Sequence, residues 1–281
     1  MKKTLAAAFI FAVGLAACGG GGGGNDGGGT TPTAKALTIS MYGKPIVSSS
    51  STAVAHAQFS LISAAVAADA PSVASDAQAT AKSLTDALAA RGVTAEITTQ
   101  VMDGAALHQI VTTEYNGKPP TVDQFKTDPG EWIIVNFQLD DMVTPADDPA
   151  QQVAMKQFAS DLLVFSQWAA VAGKAVFVVT PIQTCDTQNS ASMGLLSAMQ
   201  SAFVDGAPIR FIGGTPVSFG FLSGKAVPST TSPGIEHFGA DCRSPDAFVQ
   251  NLQVDSIADS IASAYKDTGA AAPASGASAT Q

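Results

Sequence analysis

Four short β-rich runs, each followed by a stretch with helical spacing or by a polar turn, constrain this chain more than any other feature. Residues 36–42 (ALTISMY) end at Gly43. Residues 94–101 (TAEITTQV) alternate and end before Asp103 and Gly104, residues 132–137 (WIIVNF) are nearly continuous, and residues 175–180 (AVFVVT) stop at Pro181. Around them, residues 53–68, 76–90, 150–172 and 192–203 carry apolar side chains at helical spacing, with Gly92 and Gly173 placed as C-terminal stops. A last helical pattern opens at Ser244 or Pro245 and runs to Tyr265, with an interruption near Asn251. Strands apolar enough to be buried on both faces, separated by helices, predict an α/β domain: a three-layer αβα sandwich around a mainly parallel sheet of about five strands. Ligands of such sheets gather at the carboxyl ends of the strands, so the residues that follow each strand are the candidates for function.

Of the 281 residues 46% are apolar and 13% charged, enough for a sizeable core. The 14 basic against 23 acidic residues give a net charge of −9, which argues against gripping nucleic acid and against direct attraction to anionic lipid. The ends differ from the middle. Lys2 and Lys3 precede an apolar stretch over 5–13 that is too short to span a bilayer, and Leu15, Ala16 and Ala17 lead into Cys18. This start resembles a bacterial lipoprotein signal. The resemblance implies cleavage before Cys18, lipid on its thiol and new amino group, and a membrane partner held through that anchor. Gly19 in place of an aspartate points to the outer membrane, facing the periplasm or the cell surface. Loss of residues 1–17 removes two lysines and no acid, leaving a charge of −11. Residues 18–35, rich in glycine, read as a tether. Residues 36–267 are the folded domain, and 268–281 (Ala, Ser, Gly, Pro) a disordered tail.

The strand ends carry Tyr42-Gly43-Lys44-Pro45, Asp103-Gly104, Gln138-Leu139-Asp140-Asp141 and Thr180-Pro181-Ile182, with Asp241-Cys242-Arg243-Ser244-Pro245 late in the chain. In order and spacing, over residues 37–265, this resembles the SGNH or GDSL hydrolase family. That family has Gly-Asp-Ser after the first strand, a glycine after the second, Gly-x-Asn-Asp after the third, and Asp-x-x-His-Pro before the last helix. The resemblance implies a flavodoxin-like strand order and an ester-hydrolase site, whose residues are mostly replaced here. Pro45 stands for the nucleophilic serine, Asp140 for the oxyanion-binding asparagine and Ser244 for the base histidine; Gly104 and Asp241 match. Proline carries no nucleophile, an ionised carboxylate only accepts hydrogen bonds, and a serine hydroxyl takes no proton near neutral pH. Loss of one oxyanion donor alone costs about 10²- to 10³-fold in turnover. The resemblance therefore implies a degenerate member that keeps a cleft for binding a small molecule, glycan or protein.

A second reading relocates the chemistry: a hydroxyl from Ser48, Ser49, Ser50 or Ser51 with His237 and Asp241 makes a substitute triad and an active ester hydrolase. Against it, serines after a strand ordinarily belong to a loop or a helix cap. His56 sits in an apolar helical pattern and His108 four residues after Gly104, both at positions ordinary for a helix. A third class, a spacer without a pocket, is also compatible with the sequence. Asp140, Asp141, Asp147 and Asp148 cluster, but without the ligand spacing of a calcium loop, and Asp148 before Pro149 suits a helix cap. No metal and no cofactor are expected. With Cys18 given to lipid, Cys185 and Cys242 remain to pair as a disulfide in an oxidising compartment. In the family's layout, both segments border the active-site face.

Overall fold

Five parallel strands form the centre of the fold: β1 (Leu37–Gly43), β2 (Ala95–Thr99), β3 (Trp132–Asn136), β4 (Ala175–Val179) and β5 (Ile209–Ile212). Their order is β2-β1-β3-β4-β5, with every pair parallel. The computed structural model describes residues 35–48, 73–115, 121, 123–228 and 234–269. The signal segment, Cys18, the tether to residue 34, Ser49 to Ser51, the 53–68 pattern with His56 and the tail from 270 lie outside the described residues.

Side-chain alternation divides the sheet between two cores. Ile133, Val135, Val176 and Val178 face helices α2 (Leu107–Tyr115), α3 (Pro149–Val171) and α4 (Ala191–Val204), where Leu162, Phe165, Trp168 and Leu195 are fully buried. Ile39, Met41, Ile134 and Phe177 face helices α1 (Val73–Ala89) and α5 (Ala247–Asp267), packing on Leu84, Leu88, Ile257 and Ile261. A sheet covered on both faces is the expected αβα sandwich, and the near-continuous apolar runs of β3 and β4 follow from that double burial. The boundaries follow local chemistry. Asp148 accepts from the Ala150 amide at 2.8 Å ahead of Pro149 at the first turn of α3. Gly92 and Gly173 leave their helices with φ of +77° and +75°.

Some elements differ from expectation. The last helix begins at Ala247, because Asp246 caps it by accepting from the Val249 amide while Pro245 lies in an isolated bridge with Phe238. It runs without interruption, since Asn251 is on its exposed side. Helix α2, the four-residue β5 and an antiparallel hairpin, β6 (Phe219–Leu222) and β7 (Lys225–Pro228), have no counterpart in the pattern reading. The hairpin turns through Ser223 and Gly224, both at positive φ, a geometry that matches the right-handed twist of its strands. Phe219 there joins Cys185, Val217 and Val249 in a third, small core.

A polar tie anchors the loop that enters β3. Asp128, with its side chain 4% exposed, accepts from Ser40 Oγ and Tyr42 Oη, each at 2.5 Å, and from the Gly130 amide at 2.8 Å. Lys174 Nζ lies 3.6 Å from its carboxylate and donates to the carbonyls of Asp128 and Gly130. Among the described residues, no helix is long and apolar enough to cross a membrane.

Candidate ligand-binding cleft

A parallel sheet places all its carboxyl ends on one edge, and a cleft of about 830 Å³ opens there, within the range of small-molecule sites. Its floor is set by the abrupt end of β1. Gly43 has φ +92°, and a Cβ on it would lie 2.5 Å from the Asn136 carbonyl carbon, so only glycine lets β1 turn this close to β3. Lys44 N then donates to Asn136 O at 2.9 Å, and Asn136 Nδ2 returns a bond to Lys44 O at 2.7 Å. Beyond Pro45, the amides of Ile46 and Val47 both donate to Thr80 Oγ1 at 3.0 Å, on a fully buried threonine of α1. The Ser48 amide donates to Gln250 Oε1 on α5 at 3.2 Å.

The loop after β2 meets this segment. Gly104 O accepts from Gln138 N at 2.8 Å, and a Cβ on Gly104 would approach Gln138 Cγ to 2.9 Å and Lys44 Cβ to 3.2 Å. Close packing of three chain segments thus accounts for the glycine. On the β4 side, Gln253 Nε2 donates to Thr180 O at 3.2 Å, binding α5 to the strand end. The late loop is held by the disulfide between Cys185 and Cys242, by Cys185 N donating to Cys242 O at 3.0 Å, and by Arg243 Nη1 with Asp186 Oδ2 at 3.1 Å. The two cysteines therefore pair as expected.

Of the residues singled out by sequence, Pro45, Ser48, Gly104 and Ser244 line the cleft. Asp241 lies behind Ser244, accepting from its hydroxyl at 2.7 Å and from the Arg243 and Ser244 amides at 3.1 Å. The Arg243 amide and then the Ser244 hydroxyl hold this carboxyl below its ordinary range. The late loop thus retains an aspartate bonded to the residue three positions on, with a serine at the far end of the contact. Asp140 is elsewhere: it lines a separate pocket of about 110 Å³ with His108, whose Nδ1 lies 2.9 Å from Asp161 Oδ2. The loop after β3 sends Gln138 into the cleft instead.

Ser48, His237 and Asp241 are not brought together. His237 Nδ1 faces Asp246 Oδ2 at 2.9 Å and its ring stacks on Phe248 at 4.4 Å, while Asp241 is bound to Ser244. Ser49 to Ser51 and His56 lie outside the described residues. The acidic residues after β3 also take separate places. Asp141 accepts from the Val143 and Thr144 amides, Asp147 from Asn189 Nδ2, and Asp148 caps α3.

Sequence reasoning missed the side-chain amides Asn136, Gln138, Gln250 and Gln253, which tie the cleft walls to one another. The available signals were a polar residue ending the β3 run and two glutamines three apart on one face of the last helix. No protein-family model matches the chain, and no curated protein matches it. Among solved structures it is similar to a carbohydrate acetylesterase from Sinorhizobium meliloti, at 12% identity over 81% of this chain and 99% of that chain, with a TM-score of 0.35.

Proposed function

We propose that this chain is an SGNH-like domain of an envelope lipoprotein, which binds a ligand in the cleft at its strand ends without cleaving esters. The observation that carries this is the hydrogen bonding after β1, the segment matched to the family's nucleophile turn. Every backbone N–H from Lys44 to Ser48 is given to a protein acceptor, and Pro45 has neither N–H nor hydroxyl. An oxyanion needs donors already aimed at it, and those of this segment are committed elsewhere. Ser48, which lines the cleft, supports a second reading, an active ester hydrolase with relocated residues.

The two readings separate on turnover of p-nitrophenyl acetate by the purified full chain. The binding reading expects a rate equal to that of a Ser48→Ala variant and to the spontaneous background. A rate at least tenfold above background that the variant loses would favour the hydrolase. Anchoring is tested independently. Cys18→Ala is expected to abolish incorporation of radiolabelled palmitate and to release the protein from the membrane fraction; unchanged labelling and fractionation would remove the anchor from the account.

A further inference from the structure

We infer that the cleft selects ligands that present hydrogen-bond donors, an ammonium or amide N–H head on a short aliphatic body, over ligands with an anionic head. This rests on the binding reading and concerns the chemistry of the same site. Of the four side-chain amides of the cleft, Gln250 uses both ends, its oxygen accepting from Ser48 N and its nitrogen donating to Pro245 O, whereas the other three turn their nitrogens into the protein. A backbone carbonyl only accepts, so an amide that meets one must turn its nitrogen toward it. Asn136 Nδ2 donates to Lys44 O at 2.7 Å, Gln253 Nε2 to Thr180 O at 3.2 Å, and Gln138 Nε2 to Phe137 O at 3.3 Å and Asn136 Oδ1 at 3.5 Å. The hydroxyls follow the same pattern, Thr184 Oγ1 donating to Asp186 Oδ1 at 2.8 Å and Ser244 Oγ to Asp241 Oδ2 at 2.7 Å. Five side chains of the cleft wall thus donate back into the protein.

Asn136 Oδ1 is met by Gln138, but two amide oxygens remain. Gln138 Oε1 and Gln253 Oε1 meet no donor among the described residues, and neither is sealed from solvent without a partner. The Asp103 carboxylate, also of the lining, accepts only from the Ala105 amide among the described residues. A ligand head that brings N–H groups satisfies these acceptors; a carboxylate leaves them unpaired and places its own charge against them, the costlier arrangement in a partly dry site. Of the cations in the lining, Arg243 is already paired with Asp186, and Lys44 is outnumbered by Asp76 and Asp103. The apolar part of the described lining is aliphatic, with Ile46, Val47, Met102, Met142 and Ile182 and no aromatic ring. Methionines and branched aliphatics adapt to a flexible alkyl body, and stacking of a flat ring has no partner there.

The test titrates the full chain, held in lipid nanodiscs, with butylammonium, butanamide and butanoate, reading Kd by ligand-observed NMR against empty nanodiscs. The expected result is a Kd for butylammonium and butanamide at least tenfold below that for butanoate. Gln138→Met should weaken butanamide at least fivefold, while Gln138→Glu, which keeps acceptor oxygens at that position, should hold it within about threefold. Butanoate binding as tightly as the other two, or a Met variant that behaves like the Glu variant, would overturn the donor preference and leave ligand binding in place. If none of the three binds, the binding reading fails and the inference with it.

Discussion

Replacing Asp128 with alanine is expected to lower the unfolding free energy by about 3–5 kcal/mol, the cost of breaking a buried ion pair by removing one partner. The reason is what the carboxylate leaves behind. Ser40 and Tyr42 lose the acceptor of their hydroxyls and the Gly130 amide loses a bond. The Lys174 ammonium, with its side chain 12% exposed, loses its counter-ion. Two carbonyl bonds still hold that ammonium in place, so it cannot simply swing out to water. Asp128→Asn keeps an oxygen of similar reach and should cost roughly half as much, since a neutral acceptor makes a weaker bond to a cation. Urea unfolding of the two variants, at unchanged m-value, measures both losses. An alanine variant within about 1 kcal/mol of the parent would show that the tie is not a stabilising anchor for the loop entering β3.

Removal of the Cys185–Cys242 disulfide comes next in size. The cysteines are 57 positions apart, and releasing a loop of that length frees the unfolded chain by about 4 kcal/mol in the chain-entropy model. A Cys185→Ser/Cys242→Ser double variant should show that drop in urea, and the parent should show it only in the presence of reductant. The effect should reach the cleft, since the bridge sits beside Arg243, Ser244 and Pro245 on the rim. A double variant as stable as the parent would mean that the Cys185 amide bond and the Arg243–Asp186 pair hold the late loop unaided.

Much of the architecture could be read from periodicity because double burial makes β3 and β4 almost wholly apolar, and because Gly92, Gly173 and Asp148 act through local rules. The short β5 escaped, since four residues with Arg210 and Phe211 partly outward give no period to detect. The meeting of the strand-end blocks was legible for a topological reason: parallel strands finish on one edge. Which side chain enters the cleft was not. Matching the third block to the family's motif puts Asp140 at the oxyanion position. In the fold, Leu139 is drawn into the core, 4% exposed among the α2 and α3 side chains, and Asp140 follows it toward His108. Gln138, two residues earlier, takes the cleft position because its amide is bound to Gly104 O. His237 shows the same limit. The bridge of Phe238 with Pro245 folds its segment back toward Ser244, yet the ring stacks on Phe248 and bonds to the helix cap. Glutamines on a helix read as surface residues, and only the tertiary fold reveals that Gln253, 5% exposed, spans from α5 to a strand end.

Ligand binding without ester cleavage requires that no hydroxyl of this cleft be activated, and covalent trapping tests this without requiring a known substrate. The full chain is incubated with an alkyl fluorophosphonate, which phosphonylates an activated serine with loss of fluoride, and its intact mass is compared with that of an untreated sample. The predicted outcome is an unchanged mass after prolonged exposure. A stoichiometric single adduct that maps to Ser48, Ser49, Ser50 or Ser51 and disappears when that serine becomes alanine would contradict the account.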